Sequence, residues 1–324
     1  MPTNYSFGFS ESLLSSVSGI PMDALHHDPD AMIRAAESVR PIAERLGVAP
    51  PRPHLAGFCY TPVAALGAKI VFPRGSEPKV YPLIQTPQQI DHLKEPEDYL
   101  AADLIQQRLA ALSRLKQLCP TAGNHIGHSV EGPVTTAMLL MGQDFLLLLY
   151  DDPKRAHALL DFSVRSALGY ARAISMKLSG AIKSGVVGVP DDFSGMLPPE
   201  LFPEFVVPYT NNLFEGLQAT ERHYHSELLH NEHLPYLKDM KIDRFDPSTD
   251  QYLTPEQVAE DSPCRFMLRI HAWEVQDMSP NELVQYYKRL ASLKPDLIGF
   301  SMWRVADEPK VRALLEVARE LKGE

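Results

Sequence analysis

The chain is predicted to fold as an α/β protein, a (β/α)8 TIM barrel with an N-terminal helical extension and a β-hairpin insertion. Three observations predict it. From residue 180 onward, short apolar runs alternate with helix-patterned stretches without a break, which implies a parallel sheet with helical crossovers. No linker divides the 324 residues, and a closed barrel accommodates that length as one unit. No GxGxxG follows any strand candidate, so an open doubly wound sheet, the alternative, lacks its dinucleotide signal. One domain over 1–324 is expected, with residues 1–53 as the extension and 54–324 as the barrel.

Residues 1–28 carry Ser-rich turns and no clear period, and read as mostly irregular. In 29–46, Met32, Ile33, Ala36, Val39, Ile42 and Leu46 fall on one helical stripe, which Pro41 should kink or split. Residues 54–60 form a short apolar strand. Two extended runs, 68–72 and 79–84, flank Pro73-Arg74-Gly75-Ser76-Glu77-Pro78 and read as the hairpin. Residues 86–117 are polar and largely helical, with a break at Pro96. Residues 124–130 read as a strand, and Glu131-Gly132-Pro133 starts a helix that stops at Gly142. A short helix over 144–149 follows, and Asp151-Asp152-Pro153 caps a long one, since acidic residues and Pro belong in a first turn.

Residues 181–189 are a buried-strand run rich in Val and Ile, ending in Pro190-Asp191-Asp192. Pro198-Pro199-Glu200 opens the next helix. The stretch 222–227 suits a strand, after which Leu228, Leu229, Leu234 and Leu237 recur at near-helical spacing. Strands at 242–245, 265–271 and 297–302 complete the pattern, with helices opened by Thr254-Pro255-Glu256 and Ser279-Pro280-Asn281-Glu282 and a last helix over 308–321. Seven strands outside the hairpin are thereby placed, and the eighth of a regular barrel is not.

Composition narrows the function. Apolar residues make up 44% of the chain, the formal charge is −10 and no Lys/Arg run exceeds a dipeptide, which argues against a nucleic-acid surface. Cys59, Cys119 and Cys264 are widely spaced and form no CxxC, so neither a disulfide framework nor a cysteine-built zinc site is expected, and a reducing cytoplasm fits. The longest apolar run, near 137–150, is interrupted by Gly142-Gln143-Asp144 and is too short to span a bilayer. A soluble, cytoplasmic protein without nucleic-acid or membrane partners is expected.

In a barrel the chemistry sits at and just after the C-terminal ends of the strands. Those positions here are Tyr60; His128 and Glu131; Asp191 and Asp192; His225 and Glu227; Asp246; His271; Trp303 and Arg304. Acidic and imidazole groups dominate this ring, as metal binding or proton transfer requires. His225 and Glu227 lie two apart on one strand and so share a face. Asp191 and Asp192 follow a buried run, where carboxylates are costly unless used, and adjacency makes them diverge. Trp303 reads as a pocket wall, and Arg304 as either an anion binder or a partner for Asp307. Each has a plainer reading: His225 with Glu227 as a hydrogen-bonded pair, the two aspartates as helix caps, and His271 as a packed imidazole.

The segments EGPVTTAMLLMG (131–142), DDPKRAHALLDF (151–162) and VVGVPDDFSGMLPPELFPEFVVPY (186–209) resemble the uroporphyrinogen decarboxylase superfamily, in the right order and over roughly residues 60–320. The decarboxylase branch carries an Arg-Gln-Ala-Gly-Arg stretch that grips an acidic tetrapyrrole. Residues 1–60 hold only Arg34, Arg40, Arg45 and Arg52, so that substrate is disfavoured. The corrinoid-dependent methyltransferase branch is closer. It binds zinc through His-x-Cys and a later Cys, where this chain has His225-Ser226-Glu227 and GFSMWR.

The resemblance implies a methyltransferase that moves a methyl group between a corrinoid or small donor and a small acceptor. A divalent metal, zinc foremost, is expected on His225, Glu227 and His271, with His230 or His233 as substitutes for His271, because imidazole and carboxylate suit zinc, iron or manganese. Asp191, Asp192 and Glu131 are the expected catalytic groups, and Tyr60, His128, Trp303 and Arg304 the expected substrate contacts. A corrinoid carried on a partner protein is the expected macromolecular partner. The alternatives are a metal-independent decarboxylase or lyase acting on a small carboxylic acid, and a non-catalytic binding homologue.

Overall fold

The strand left unplaced by pattern reading is Asn4–Phe9 (β1), which pairs in parallel with Leu297–Met302 (β8) from Asn4 opposite Leu297 to Phe9 opposite Met302. It lies in the stretch expected to be irregular and outside the barrel, and that expectation is corrected here. The strand has a clean period of two. Tyr5 and Phe7 pack against Phe300 of β8, while Asn4, Ser6 and Gly8 alternate with them.

The computed structural model describes residues 4–55, 60–74, 78–123, 130–182 and 184–323. Two short strands, Lys69–Val71 (β2) and Lys79–Tyr81 (β3), pair antiparallel in a sheet of their own. The main sheet adds Gly185–Pro190 (β4), Ala219–His225 (β5), Arg244–Asp246 (β6) and Arg265–Ile270 (β7). Its order is β1-β8-β7-β6-β5-β4, and every pairing is parallel. This is an α/β fold with a six-stranded, curled parallel sheet, as half of a barrel would be. The strand expectations at 54–60 and 124–130 fall largely on residues 56–59 and 124–129, outside the described residues.

Helix boundaries follow the local chemistry. The run 29–46 is split as Pro41 requires, into Pro29–Ser38 and Arg40–Leu46. Asp152 caps Pro153–Ser179 by accepting from the Arg155 N–H, and Gly180 ends it in the left-handed conformation at φ 70°. Thr254 with Gln257 and Ser279 with Glu282 form capping boxes on Pro255–Asp261 and Pro280–Ser292. The helix expected after residue 227 is reduced to a 3-10 turn, Asn231–His233, and one α-turn, Tyr236–Asp239. Leu229, Leu234 and Leu237 are buried all the same. Their spacing reports burial, and Pro235 keeps the two turns from fusing into one helix.

Apolar side chains form two cores, on either side of the helix Pro29–Ser38. One gathers β4 to β6 with the helices over 133–179 and 202–216. The other gathers β1, β7 and β8 with the first helices and the last two. No single helix among the described residues is long and apolar enough to cross a membrane.

Candidate active site

Strand β5 organises the site. Its residues alternate: Arg222 and Tyr224 are buried, while Glu221, His223 and His225 share the other face. From Glu221 onward that face is polar. Glu221 accepts from Arg265 at 2.6 Å and lies 2.7 Å from Nε2 of His223, whose Nδ1 meets Arg244 at 2.8 Å. One layer further along, in register, His225 stands opposite Asp246 of β6.

Nδ1 of His225 lies 3.1 Å from Oδ2 of Asp246. Arg269 of β7 grips the same carboxylate with two nitrogens, Nη2 to Oδ2 at 2.5 Å and Nε to Oδ1 at 3.2 Å. Burial alone would push the Asp246 carboxyl up, but the bonds from His225 and Arg269 hold it well below the usual carboxylate range. Asp246 is therefore an acceptor only, and the proton of that bond sits on Nδ1 of His225.

Nε2 of His225 is left facing two carboxylates, Asp192 at 3.5 Å and Glu227 at 3.8 Å. These spacings are ion-pair distances, too long for good hydrogen bonds. Burial works against the imidazolium, yet the bond to Asp246 and the charges of Asp246, Asp192 and Glu227 outweigh it, so the pKa of His225 is raised. Burial, then the Glu227 charge, raises Asp192 against the pull of His225. Glu227 accepts from the Thr249 hydroxyl at 3.1 Å.

Asp191 takes a different duty. It is wholly buried, and its Oδ1 accepts the backbone N–H of Thr135 at 2.7 Å. The helix Pro133–Met141 has Gly132 at its N-cap and no side-chain cap of its own, so Asp191 supplies one from the end of β4. Gly132 is required there, because a Cβ would overlap the Asp191 carboxyl. The Gly132 N–H donates to Pro190, the Asp191 N–H to the His225 carbonyl, and the Phe193 N–H to the Thr135 hydroxyl. Burial pushes the Asp191 carboxyl up to about 7, against the Thr135 bonds. Of the adjacent aspartates, one holds a helix and the other faces His225.

The remaining expected residues scatter. Glu131 is buried just before the same helix, and Tyr60 is half-buried at the start of Thr61–Ala65. His128 lies outside the described residues. Arg304 binds Asp307 with two nitrogens at 2.8 and 3.0 Å, the pairing that its second reading expected. Trp303 is 40% exposed. The ring of His271 stacks on Trp273 at 4.4 Å, its Nδ1 makes no hydrogen bond, and burial lowers its pKa. His233 is a structural residue: its Nδ1 accepts from the His230 N–H and its Nε2 meets the Leu197 carbonyl at 3.0 Å. His230 stacks on Tyr252.

No group of three or more His, Cys, Asp or Glu side chains among the described residues is arranged to hold a metal ion. The trio His225, Glu227 and His271 is thus not gathered, and the nearest neighbours of the His225 ring are carboxylates balanced by Arg269. As placed, these donors do not fit a three-ligand metal site. They fit a proton-handling site.

Pattern reading missed Arg269 and left Asp246 without a role. The signal for Arg269 is a charged residue at the penultimate position of β7, two before His271, whose face it would share.

The model of the family described as uroporphyrinogen decarboxylase (URO-D) matches residues 52–264. A uroporphyrinogen decarboxylase of Azotobacter vinelandii is 27% identical over 162 residues, 47% of this chain and 42% of that protein, so less than half of it is spanned. A methyltransferase from Methanosarcina mazei has a similar structure, with a TM-score of 0.71 over 98% of this chain and 94% of that one at 17% identity. At that identity the likeness is one of fold.

Proposed function

The chain belongs to the uroporphyrinogen decarboxylase family, and from that membership we propose that it is a methyltransferase working on small molecules at His225. One observation carries the reading. His225 is anchored at Nδ1 by the Asp246–Arg269 pair and presents Nε2 to Asp192 and Glu227. A cation so placed favours the anionic form of an acceptor, and a neighbouring carboxylate can take the proton that the acceptor gives up. The acceptor's X–H proton goes to Glu227 or Asp192, and its freed electron pair forms the bond to the methyl carbon. The old bonding pair stays with the donor, for which a corrinoid substrate is proposed. Trp303 is proposed as a pocket wall.

A second feature favours methyl transfer over loss of CO2. Both strand-end arginines are engaged within the chain, Arg269 by Asp246 and Arg304 by Asp307, so a bidentate clamp on a carboxylate substrate would have to displace those bonds. The test is single-turnover reaction of the purified protein with methylcobalamin and a panel of small thiols and phenols, read by the cobalamin spectrum and the mass of the acceptor. Methylated product that disappears in His225→Gln is expected. Release of CO2 from small carboxylic acids without methyl transfer would replace this reading with the carboxy-lyase one.

A further inference from the structure

We infer that Arg269 is a positioning residue of this site, acting on His225 through Asp246 and touching no substrate itself. The inference rests on His225 being the working group proposed above. Asp246 receives four donors: Nε of Arg269 and the backbone N–H of Ser248 on Oδ1 at 3.2 and 2.9 Å, and Nη2 of Arg269 and Nδ1 of His225 on Oδ2 at 2.5 and 3.1 Å. Ser248 holds only one oxygen. The oxygen that orients the imidazole is fixed by Arg269 alone, and without it the carboxylate can turn about its last side-chain bond.

The geometry also selects arginine over lysine. The two bonds run in parallel from one planar group to both oxygens of one carboxylate, a match that an ammonium cannot make. Three strands share the assembly, with His225 on β5, Asp246 on β6 and Arg269 on β7, so adjacent strand ends are locked in one orientation. The charged groups around Arg269 are Asp246, Glu227 and His271, and only Asp246 bonds to it. The other arginines of this face, Arg244 and Arg265, serve the layer below, on His223 and Glu221.

The experiment uses the full chain with 15N-labelled histidine, the His225 signals being assigned by their loss in His225→Gln. A slowly exchanging Nδ1–H signal for His225 is expected in the wild type, weakened in Arg269→Lys and lost in Arg269→Gln. In the methyl-transfer assay Arg269→Lys should lower kcat about 10- to 100-fold with the acceptor KM within about twofold. Arg269→Gly should regain turnover with millimolar guanidinium but not with ammonium. An unchanged Nδ1–H signal in Arg269→Gln would overturn the inference, as would a rise in KM with kcat intact, which would make Arg269 a substrate contact. Should Arg269→Gln not fold, Arg269→Lys and guanidinium rescue carry the same decision. The NMR arm does not depend on the reaction, so a failed assay with the expected signals would count against methyl transfer alone.

Discussion

Asp191 and Thr135, 56 positions apart in sequence, are joined by a 2.7 Å hydrogen bond from backbone N–H to carboxyl, and that bond closes the N-terminus of a helix that cannot cap itself. The carboxyl is wholly buried and its second oxygen makes no hydrogen bond. Its protonated form is the one the fold favours.

A pH dependence of stability follows. In the unfolded chain the group titrates near its ordinary 3.8, and in the fold near 7. The folded state therefore binds the extra proton between these values, and stability falls as pH rises through that window. The contribution is fully present below about pH 4 and is lost above about pH 7, on the order of 4 kcal/mol in all. Asp191→Asn keeps an acceptor for Thr135 and removes the titration. Urea denaturation from pH 5 to 8 should show the variant gaining on the wild type as pH rises, and parallel pH profiles would contradict the account.

Gly132→Ala tests the same joint by size. The new methyl overlaps the Asp191 carboxyl, and the partner it meets is held by the helix N-terminus, so a cost of about 2–3 kcal/mol is expected. Asp191→Ala in the same chain should recover part of it. A double-mutant cycle on denaturation midpoints with zero coupling would show that the two residues do not bear on each other.

Asp246→Asn strikes both stability and the site. It leaves the Arg269 guanidinium, whose side chain is 39% exposed, without its counter-charge, at a solvent-screened cost of about 1–2 kcal/mol, and it loosens His225. Methyl transfer should fall at least about 100-fold, the order seen when a group that orients a catalytic histidine is neutralised. Wild-type turnover in a folded Asp246→Asn protein would remove Asp246 from the site.

Arg304→Ala separates a substrate clamp from an internal pair. Asp307 is almost fully buried, and losing its two bonds should cost about 1–3 kcal/mol. Acceptor KM should stay within about twofold. A large KM increase with unchanged melting temperature would return Arg304 to substrate binding.

Much of this was legible before any coordinates. Strands 297–302 and 265–270 show as apolar runs because both faces of a parallel sheet are covered, and the proline-led caps at Pro153, Pro255 and Pro280 name their own helices. The strand expected over 222–227 ends at His225, so Glu227 reaches to 3.8 Å of the imidazole from the bend beyond the strand and not by strand periodicity. The role of Arg269 was beyond reach because its partner is on the next strand, 23 positions away, and a lone arginine in a strand carries no mark of what it touches. Asp191 and Asp192 looked equivalent for a related reason: which of two neighbours turns to the site depends on where Thr135 packs, and that is tertiary information. Asn4–Phe9 was hidden by length, since six residues of alternating pattern among serines fall below what periodicity can resolve.

That strand has a consequence for how the protein is made. Its partner β8 is synthesised roughly 290 residues later, which at ribosomal speeds of about 5–20 residues per second is a wait of some 15–60 seconds. Through that interval Tyr5, Phe7 and Phe9 have no β8 to join, and the nascent chain carries an aromatic, edge-seeking segment without its partner. The sheet can close on that side only once Leu297–Met302 has been made. Truncations ahead of residue 297 should therefore be poor folding units, whatever helices they retain, and a holdase that shields aromatic segments would help this chain most during its own synthesis.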